Sequence, residues 1–389
     1  MPFRGVDYYD IDELLEDEER LVRDMVRAFV DEKVIPRVGR WFRDGVFPME
    51  LVGEFGRMGL LGMTIKGYGC AGASSVAYGL ACQELERGDS GVRSFASVQG
   101  ALAMYPIYAF GSEEQRQKWL PAMARGDKIG CFGLTEPDFG SNPSGMLTTA
   151  RRLPGGGYRL NGTKRWITNG SIADVAIVWA RLDGVVRGFL VEKGTRGFAA
   201  HDIHGKFSLR ASVTSELVLE EAEVPEDAIL PGADGMKGPL QTLSQARYGI
   251  TWGAIGAAMA CYDEALEYAK ARVQFSRPIA GYQLVQHKLV EMLQEITKMQ
   301  LVSLRLGRLK DAGKMRPQQV SLAKRNNVYW AREIARMARD ILGANGVTDE
   351  YQCGRHMCNL ESVYTYEGTH DIHTLVLGQD ITGLSAFDT

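Results

Sequence analysis

The sequence has no apolar run long enough to cross a membrane, and it has almost no net charge. Its 389 residues carry 45 Lys and Arg against 48 Asp and Glu, a formal net charge of −3. A transmembrane helix needs about 20 consecutive apolar residues, and a nucleic-acid-binding domain usually shows a basic stripe. We therefore expect neither membrane insertion nor a nucleic-acid partner.

Cysteine is also scarce, with six residues spread along the chain. Disulfide-stabilised secreted domains are dense in cysteine, whereas reduced thiols are typical of the cytoplasm. Residues 1–5 are followed by an acidic stretch at residues 10–19, a pattern unlike a signal or transit peptide. These features predict a cytoplasmic location.

The chain divides into three zones of different composition. Residues 1–129 and 237–389 show apolar residues at helical spacing, and the second of these zones contains four long apolar-striped segments. Residues 130–236 are richer in glycine and in short β-type runs. We predict an α+β protein with an N-terminal α-helical domain, a middle β-sandwich or β-barrel domain and a C-terminal four-helix bundle, with these boundaries.

Three local signals indicate turns or connections. Asn161-Gly162 and Asn169-Gly170 are dipeptides typical of hairpin turns. Residues 231–235 have the composition of a linker. We expect two hairpins in the β zone and a linker after it.

Residues 67–72 spell the G-x-G-x-x-G pattern of dinucleotide-binding folds. Residues 60–66 have the composition of a strand, a helix is predicted from Ser74, and Glu84 or Glu86 stands at a distance suitable for a ribose-binding acid. No βαβ series follows, however, and a doubly wound sheet requires one. We therefore interpret residues 67–72 as a loop between helices.

Two clusters contain residue types that bind metals: Glu367, His370 and His373, and Cys353, His356 and Cys358. Positions i, i+3 and i+6 of the first cluster drift around a helix axis. The second cluster lacks zinc-site spacing. We predict no bound metal and interpret Thr369 as the cap of a helix; a metal-dependent hydrolase remains an alternative.

Two polar segments in the middle zone are candidates for cofactor binding. Residues 132–144 are rich in glycine, hydroxyl and proline residues, so their backbone N–H groups are available to a ligand. In the second segment, Trp166 can lie beside a flat ring and Thr168 can donate a hydrogen bond. The alternatives are a turn-rich entry to the β domain and a hairpin with a buried tryptophan.

The candidate base is Glu367, which stands between Tyr366 and Gly368. Glycine permits close approach of a ligand to the backbone, and a carboxylate in weakly solvated surroundings has a raised pKa suited to a general base. Arg93, in a short link between two apolar helices beside Ser94, presents a fork for an anionic substrate. Its alternative role is to solvate a helix end.

Together these segments resemble the acyl-CoA dehydrogenases. The resemblance is carried, in chain order, by residues 132–141, 166–168, 245–248, 272–275, 341–346 and 364–373. Arg93-Ser94 and residues 205–211 are similar to the branch of this family that acts on glutaryl-CoA. The resemblance implies bound FAD, a homotetramer, an acyl-CoA substrate and an electron-transferring flavoprotein as electron acceptor.

The resemblance also implies roles for individual residues. The flavin would be lined by Phe132, Leu134, Thr135, Gly140, Ser141, Trp166, Ile167 and Thr168. The pyrophosphate and adenosine side of FAD would meet Arg272, Phe275 and Gln283 of a neighbouring subunit, together with Leu342, Gly343, Gly346 and Thr369. The acyl-CoA would be bound by Arg93, Ser94, Ser97, Ser141, Arg247, Tyr366, Gly368 and Phe387.

The implied reaction begins when Glu367 removes the α-proton of glutaryl-CoA while the β-hydride passes to the flavin. Arg93 would bind the distal carboxylate, and loss of CO2 would give crotonyl-CoA. Ala344 and Ser276 depart from glycines common at these places in the family, and we expect neither to abolish FAD binding. The alternatives are dehydrogenation of another short acyl-CoA, glutaryl-CoA dehydrogenation without decarboxylation, and a non-catalytic flavoprotein.

Overall fold

A helical N-terminal part, a middle sheet and a helical C-terminal part follow one another in the computed structural model, which describes residues 3–387. The described N-terminal residues form seven α-helices: α1 (Asp17–Phe29), α2 (Ile35–Asp44), α3 (Leu51–Arg57), α4 (Ser75–Gly88), α5 (Ser90–Ser97), α6 (Tyr105–Phe110) and α7 (Glu113–Arg125). Wider π-type turns at Val30–Val34 and Val98–Met104 join α1 to α2 and α5 to α6 without a break. The order of the three parts confirms the predicted α+β class.

The glycine-rich residues 67–72 form a loop between α3 and α4, which confirms that interpretation. Gly67, Gly69 and Gly72 all have positive φ, and Ser74 caps α4 by accepting a hydrogen bond from the Ala77 N–H at 3.0 Å. Residues 60–66, whose composition is compatible with a strand, consist of turns and irregular backbone.

The described middle residues form one seven-stranded sheet: β1 (Gly130–Gly133), β2 (Thr149–Arg152), β3 (Tyr158–Thr168), β4 (Val175–Leu182), β5 (Val185–Glu192), β6 (Phe198–Asp202) and β7 (Thr214–Val224). Its order is β1-β4-β2-β3-β7-β6, and β5 pairs with the other edge of β4. β1 and β2 are parallel to β4 and follow one another along the same edge, whereas the other pairs are antiparallel. The end of β1 therefore lies near β3.

Neither Asn-Gly dipeptide forms a hairpin turn, so both of those predictions are wrong. Asn161 and Gly162 lie inside β3, where the register with β7 shifts and Gly162 has φ 147°. Asn169 has φ 66° and leads into the short 3₁₀ turn Gly170–Ile172, but the next strand, β4, does not pair with β3. Asn and Gly adopt left-handed backbone readily, and bulges use this property as turns do.

The described C-terminal residues form five α-helices rather than the predicted four: α8 (Lys237–Ala271), α9 (Gln283–Asp311), α10 (Pro317–Ile341), α11 (Cys353–Thr365) and α12 (His370–Thr382). The two-residue strands β8 (Val273–Gln274) and β9 (Arg277–Pro278) join α8 to α9. The sequence analysis missed α11 because its buried face includes His356 and Asn359, which interrupt the apolar pattern. None of the described helices is both long and apolar enough to cross a membrane.

Residues 231–235 connect the sheet to α8, but they do not form a free linker. The Gly232 N–H donates to the Phe110 carbonyl at 2.7 Å, and the Gly235 N–H donates to the Val186 carbonyl at 3.0 Å. Ala233 is completely buried. This connection is therefore fixed against both the helical part and the sheet.

Helices α4 and α8 cross at very short distance. A methyl group on Gly256 of α8 would lie 1.8 Å from the Gln83 carbonyl oxygen of α4, and one on Gly79 of α4 would lie 2.3 Å from the Trp252 ring of α8. Only glycine permits such an approach. The crossing brings side chains of α4, α5 and α8 together beneath the loop between α11 and α12.

Candidate active site

Glu367 lies in the short loop between α11 and α12. Its φ is 52° and that of Gly368 is 90°, so both residues have left-handed backbone. A non-glycine residue in this region is uncommon and is often found at functional sites. Thr369 then caps α12, its hydroxyl accepting a hydrogen bond from the Ile372 N–H at 3.1 Å, as the sequence predicted.

Two cationic side chains bind the backbone of this loop. Lys324 of α10 donates from Nζ to the Gly368 carbonyl at 2.7 Å and to the Tyr366 carbonyl. Arg247 of α8 donates from Nε to the Glu367 carbonyl at 2.7 Å. The carbonyl groups of three consecutive residues are thus held by side chains from two other helices.

The carboxylate of Glu367 has the properties expected of a general base. Its Oε2 is buried and has no hydrogen-bond partner among the described residues. Burial raises the pKa of Glu367, and the positive charges of Lys324, Arg93 and Arg247 offset this only in part. A free carboxylate oxygen with raised proton affinity can accept a proton from a bound substrate.

His373 of α12 lies under the same loop and is neutral. Burial, followed by the charges of Lys324 and Arg247, lowers the pKa of His373 to about 2. A methyl group on Gly368 would lie 2.9 Å from its Nε2, so glycine is required at this position. Within residues 3–387, no three His, Cys, Asp or Glu side chains are arranged to hold a metal ion.

Arg93 lies inside α5 and not in a link between helices, so that placement was wrong, as was the alternative of a solvated helix end. Asp89 caps α5 by accepting from the Gly91 N–H at 2.7 Å, which starts the helix early enough to include Arg93. The Arg93 side chain is 1% exposed. It donates from Nη2 to the phenol oxygen of Tyr366, and its guanidinium lies 5.8 Å from the centre of that ring.

The sequence analysis missed the ion pair that accompanies Arg93. Its Nε donates to Oε2 of the fully buried Glu86 at 2.6 Å, and the other oxygen of Glu86 accepts from the Ser90 hydroxyl at 2.9 Å. Gly253 of α8 makes room for this pair, since a methyl group there would lie 2.0 Å from Glu86 Oε2. In the sequence, Glu86 was interpreted only as a possible ribose ligand. Its position seven residues before Arg93, about two helical turns, was the signal that could have indicated the ion pair.

Three hydroxyl groups around Arg93 are buried and have no hydrogen-bond partner among the described residues: those of Ser94, Ser97 and Tyr78. Ser94 and Ser97 were predicted site residues, whereas Tyr78 was not. Burial raises the pKa of Tyr78 well above its usual value, with Ser97 and Arg93 acting in the opposite direction. A buried hydroxyl without a partner costs about 1–3 kcal/mol, which a bound ligand oxygen or an ordered water offsets.

The predicted flavin residues surround the junction of β1 and β3. Phe132 and Leu134 are buried at the end of β1, and the Arg165 N–H donates to the Thr135 carbonyl at 2.8 Å. The loop that begins here is closed by Glu136, which accepts from the Thr148 N–H at 2.9 Å and pairs with the buried Lys164 at 2.9 Å. Gly140 and Ser141 of this loop are exposed.

Trp166, Ile167 and Thr168 follow at the end of β3. Trp166 has φ 63° and is 56% exposed, so the alternative of a hairpin with a buried tryptophan is wrong. Ile167 is buried and Thr168 is half-buried. The next residue, Asn169, is buried, and its Nδ2 has no partner. An exposed aromatic ring and an unpaired buried amide beside a glycine-containing loop fit a planar polar cofactor such as a flavin.

The remaining predicted FAD residues lie at the surface or at the end of α10. Arg272, Phe275 and Gln283 are exposed, and Phe275, at the tip of the β8–β9 hairpin, is 91% exposed. Leu342 and Gly346 are buried and Gly343 is exposed. Phe387 is exposed. Their predicted contacts with cofactor and substrate stay predictions.

Family models match the chain in three consecutive regions. They are the acyl-CoA dehydrogenase N-terminal domain at residues 16–127, the middle domain at residues 131–222 and the C-terminal domain at residues 233–382. Together these matches cover most of the chain.

Solved structures and a curated relative agree with these matches. The chain is 57% identical to a glutaryl-CoA dehydrogenase from Mycobacterium smegmatis, with 99% of this chain and 100% of that chain covered and a TM-score of 0.97. It is 54% identical to a glutaryl-CoA dehydrogenase from Mycobacterium smegmatis in complex with FADH2, with coverage of 98% and 99% and the same TM-score of 0.97. It is also 35% identical over 377 residues to the human mitochondrial short-chain specific acyl-CoA dehydrogenase, covering 95% of this chain and 91% of that protein.

The family is FAD-dependent, which confirms the predicted cofactor. From three matched domains in the expected order and from relatives that align along nearly the whole chain, it follows that this chain belongs to the acyl-CoA dehydrogenase family.

Proposed function

We propose that this chain oxidises glutaryl-CoA and decarboxylates it to crotonyl-CoA and CO2, with FAD as cofactor. The observation that carries the proposal is the buried guanidinium of Arg93, hydrogen-bonded to Tyr366, the residue before Glu367. A base and a cation in one buried site fit a substrate with a thioester at one end and a carboxylate at the other. The 57% identity to a glutaryl-CoA dehydrogenase supports this choice of substrate.

The first chemical task is removal of a proton from the carbon next to the thioester carbonyl. Glu367 accepts this proton on its unpaired Oε2. The developing enolate oxygen needs an aimed donor, and the Glu367 N–H, which makes no hydrogen bond among the described residues, is suited to it. Bound FAD supplies the acceptor for the β-hydride. The burial of Glu367 excludes water and so keeps its proton affinity high.

The distal carboxylate of the substrate accepts hydrogen bonds from Arg93 and from the unpaired hydroxyls of Ser94 and Ser97. After α,β-oxidation, the bond between this carboxylate and the γ-carbon breaks, CO2 leaves, and the electron pair delocalises through the new double bond into the thioester. The protonated Glu367 returns its proton to give crotonyl-CoA. Because Glu86 already balances the charge of Arg93, the carboxylate is held mainly by directed hydrogen bonds and its loss leaves no unpaired buried cation.

We also propose a homotetramer and an electron-transferring flavoprotein as the acceptor. Phe275 is 91% exposed and Leu284, further along the chain, is 80% exposed. Contact between copies of the chain at this place would remove apolar surface from water, which supports the proposal. Analytical ultracentrifugation of the FAD-containing protein tests the oligomeric state.

A second candidate is α,β-dehydrogenation of another short acyl-CoA without loss of CO2. The 35% identity to a short-chain specific acyl-CoA dehydrogenase favours it. The experiment that separates the two uses glutaryl-CoA labelled with ¹⁴C in the distal carboxylate. One labelled CO2 released per flavin reduced supports the proposal, whereas accumulation of labelled glutaconyl-CoA, or oxidation of butyryl-CoA alone, contradicts it.

A further inference from the structure

We infer that Lys324 is a positioning residue for the base: it holds the carbonyl groups of the residues directly before and after Glu367, and its charge favours the ionised form of the Glu367 carboxylate. This inference rests on the proposed function, in which Glu367 removes the α-proton. Lys324 was not singled out in the sequence, because it is one of several cations on α10 and its target lies more than forty residues further along the chain.

Lys324 holds the loop that contains Glu367 through two hydrogen bonds to backbone carbonyl groups. From α10 its Nζ reaches the carbonyl oxygens of Tyr366 and Gly368, the residues directly before and after Glu367. Lys324 therefore binds the peptide group before Glu367 and the one after Gly368, and Arg247 binds the peptide group between them. Glu367 and Gly368 both have positive φ, a conformation that persists only when the surroundings determine it. Lys324, together with Arg247, which binds the Glu367 carbonyl, holds the loop in this conformation.

The Lys324 ammonium group is buried and has no ion-pair partner among the described residues. Its residue is 2% exposed, both of its hydrogen bonds go to neutral carbonyl oxygens, and none of the ion pairs among residues 3–387 includes it. A buried ammonium without an ion-pair partner is costly. Neutral donors would satisfy two carbonyl groups without that cost. The charge itself is therefore the distinctive feature. Burial lowers the pKa of Lys324 to about 7, and the Glu367 carboxylate acts against this lowering, so the ammonium and the carboxylate favour each other's ionised form.

Several charged and titratable groups face Glu367 from the surrounding helices. Some are neutral or paired with a carboxylate, and others are not. They are Arg93 from α5, Arg247 from α8, Lys324 from α10, His373 from α12 and Tyr366 from the loop itself. Arg93 is balanced by Glu86. Burial raises the pKa of Tyr366, and His373 is neutral, so neither carries charge near neutral pH. Arg247, and Lys324 at pH values below its pKa of about 7, remain as cations that form no ion pair with a carboxylate among the described residues.

The test compares three variants of α10 in the FAD-containing protein. Lys324→Met removes the charge and both hydrogen bonds, and Lys324→Arg keeps the charge. Arg325→Met is the matched control, because it removes a cation one residue further along, where Nε donates to the Thr374 hydroxyl and not to the loop. Two quantities are measured against pH: kcat/KM for glutaryl-CoA, and the carboxyl infrared band of Glu367, obtained as a difference against Glu367→Gln in each background.

In Lys324→Met we expect two midpoints to move together to higher pH. They are the midpoint of the acid limb of kcat/KM and the midpoint of Glu367 ionisation, as read from its infrared band. The expected size is roughly 1–3 pH units, as for loss of an opposite charge near a carboxylate. Lys324→Arg and Arg325→Met should stay close to the wild type. An unchanged Lys324→Met profile, or an equal shift in Arg325→Met, overturns the inference.

Two further outcomes are covered by this design. If Lys324→Met does not fold or bind FAD, Lys324→Gln, which retains a neutral donor, gives the same comparison: a shifted band supports the role of the charge, and an unshifted band overturns it. If the wild type oxidises no acyl-CoA, the proposed function fails, while the infrared comparison without substrate still decides whether Lys324 controls the ionisation of Glu367.

Discussion

Arg93 of α5 donates a hydrogen bond to the phenol oxygen of Tyr366, and Tyr366 directly precedes Glu367. Glu86 holds the other side of the guanidinium at 2.6 Å. A continuous series of contacts therefore runs from a buried ion pair to the residue that carries the candidate base. Movement of Arg93 would be transmitted to Tyr366 and to the loop between α11 and α12.

Replacing Glu367 with Gln removes the only carboxylate of this loop but preserves its shape. We expect FAD to remain bound and flavin reduction by glutaryl-CoA to slow by about 10²–10⁴-fold or more, the usual contribution of a general base. Anaerobic stopped-flow absorbance of the flavin measures this rate. Reduction at close to the wild-type rate would show that another group takes the proton.

The role of Arg93 is best tested in a double variant, Glu86→Gln with Arg93→Met. Changing Arg93 alone would leave the Glu86 carboxylate buried without a partner, which costs about 3–5 kcal/mol. Hydrogen bonds to charged groups are worth about 1.5–3 kcal/mol, so kcat/KM for glutaryl-CoA should fall about 10–150-fold. Butyryl-CoA has no distal carboxylate and should be affected much less. Equal losses on the two substrates would contradict the assignment.

We expect the Tyr78 hydroxyl to contribute to substrate binding and not to the stability of the fold. It is buried, makes no well-formed hydrogen bond among residues 3–387 and has only weak contacts with Ser97 and Cys82, so Tyr78→Phe removes a poorly satisfied group. We expect the melting temperature to stay the same or rise, and kcat/KM to fall for glutaryl-CoA but not for butyryl-CoA. Thermal denaturation and steady-state kinetics on the same preparation check both statements. A clear loss of stability would indicate a structural hydrogen bond instead.

Gly253→Ala should weaken both the fold and the substrate preference. The added methyl group would lie 2.0 Å from Glu86 Oε2, and overpacking of this kind costs about 1–3 kcal/mol. Displacement of Glu86 should also disturb Arg93 and lower the ratio of glutaryl-CoA to butyryl-CoA activity. Gly378→Ala is the matched control, because that helical glycine of α12 has no neighbouring atom within 4 Å of an added methyl group. Chemical denaturation should show the first variant destabilised and the second neutral or slightly stabilised.

The pH dependence of catalysis follows from the raised pKa of Glu367. Burial raises this pKa and three nearby cations offset it in part. The base is active only when deprotonated, so kcat/KM should rise with pH through an apparent pKa above that of an ordinary glutamate. His373, whose pKa lies at about 2, should not contribute to this limb. An acid limb at or below the ordinary glutamate value would contradict the burial of the carboxylate.

The sequence was sufficient for features that depend on local chemistry or on a familiar order of segments. The three-part order, the cap at Thr369 and the position of Glu367 beside Gly368 are of this kind. Lys324 and Glu86 were not recognised, because their importance depends on partners contributed by other helices. Asn161-Gly162 failed for a related reason, since a dipeptide that favours left-handed backbone serves a bulge as well as a turn.

The close approach of Gly253 to Glu86 has a consequence for how this site can change over time. An alanine at residue 253 has no room while glutamate occupies residue 86, and a smaller residue at 86 would leave a void while glycine occupies residue 253. Each substitution is harmful alone, yet the two are complementary in volume. Mutational paths toward a different acyl group are therefore epistatic at this helix crossing, and the order in which the two positions are altered determines whether a functional intermediate exists.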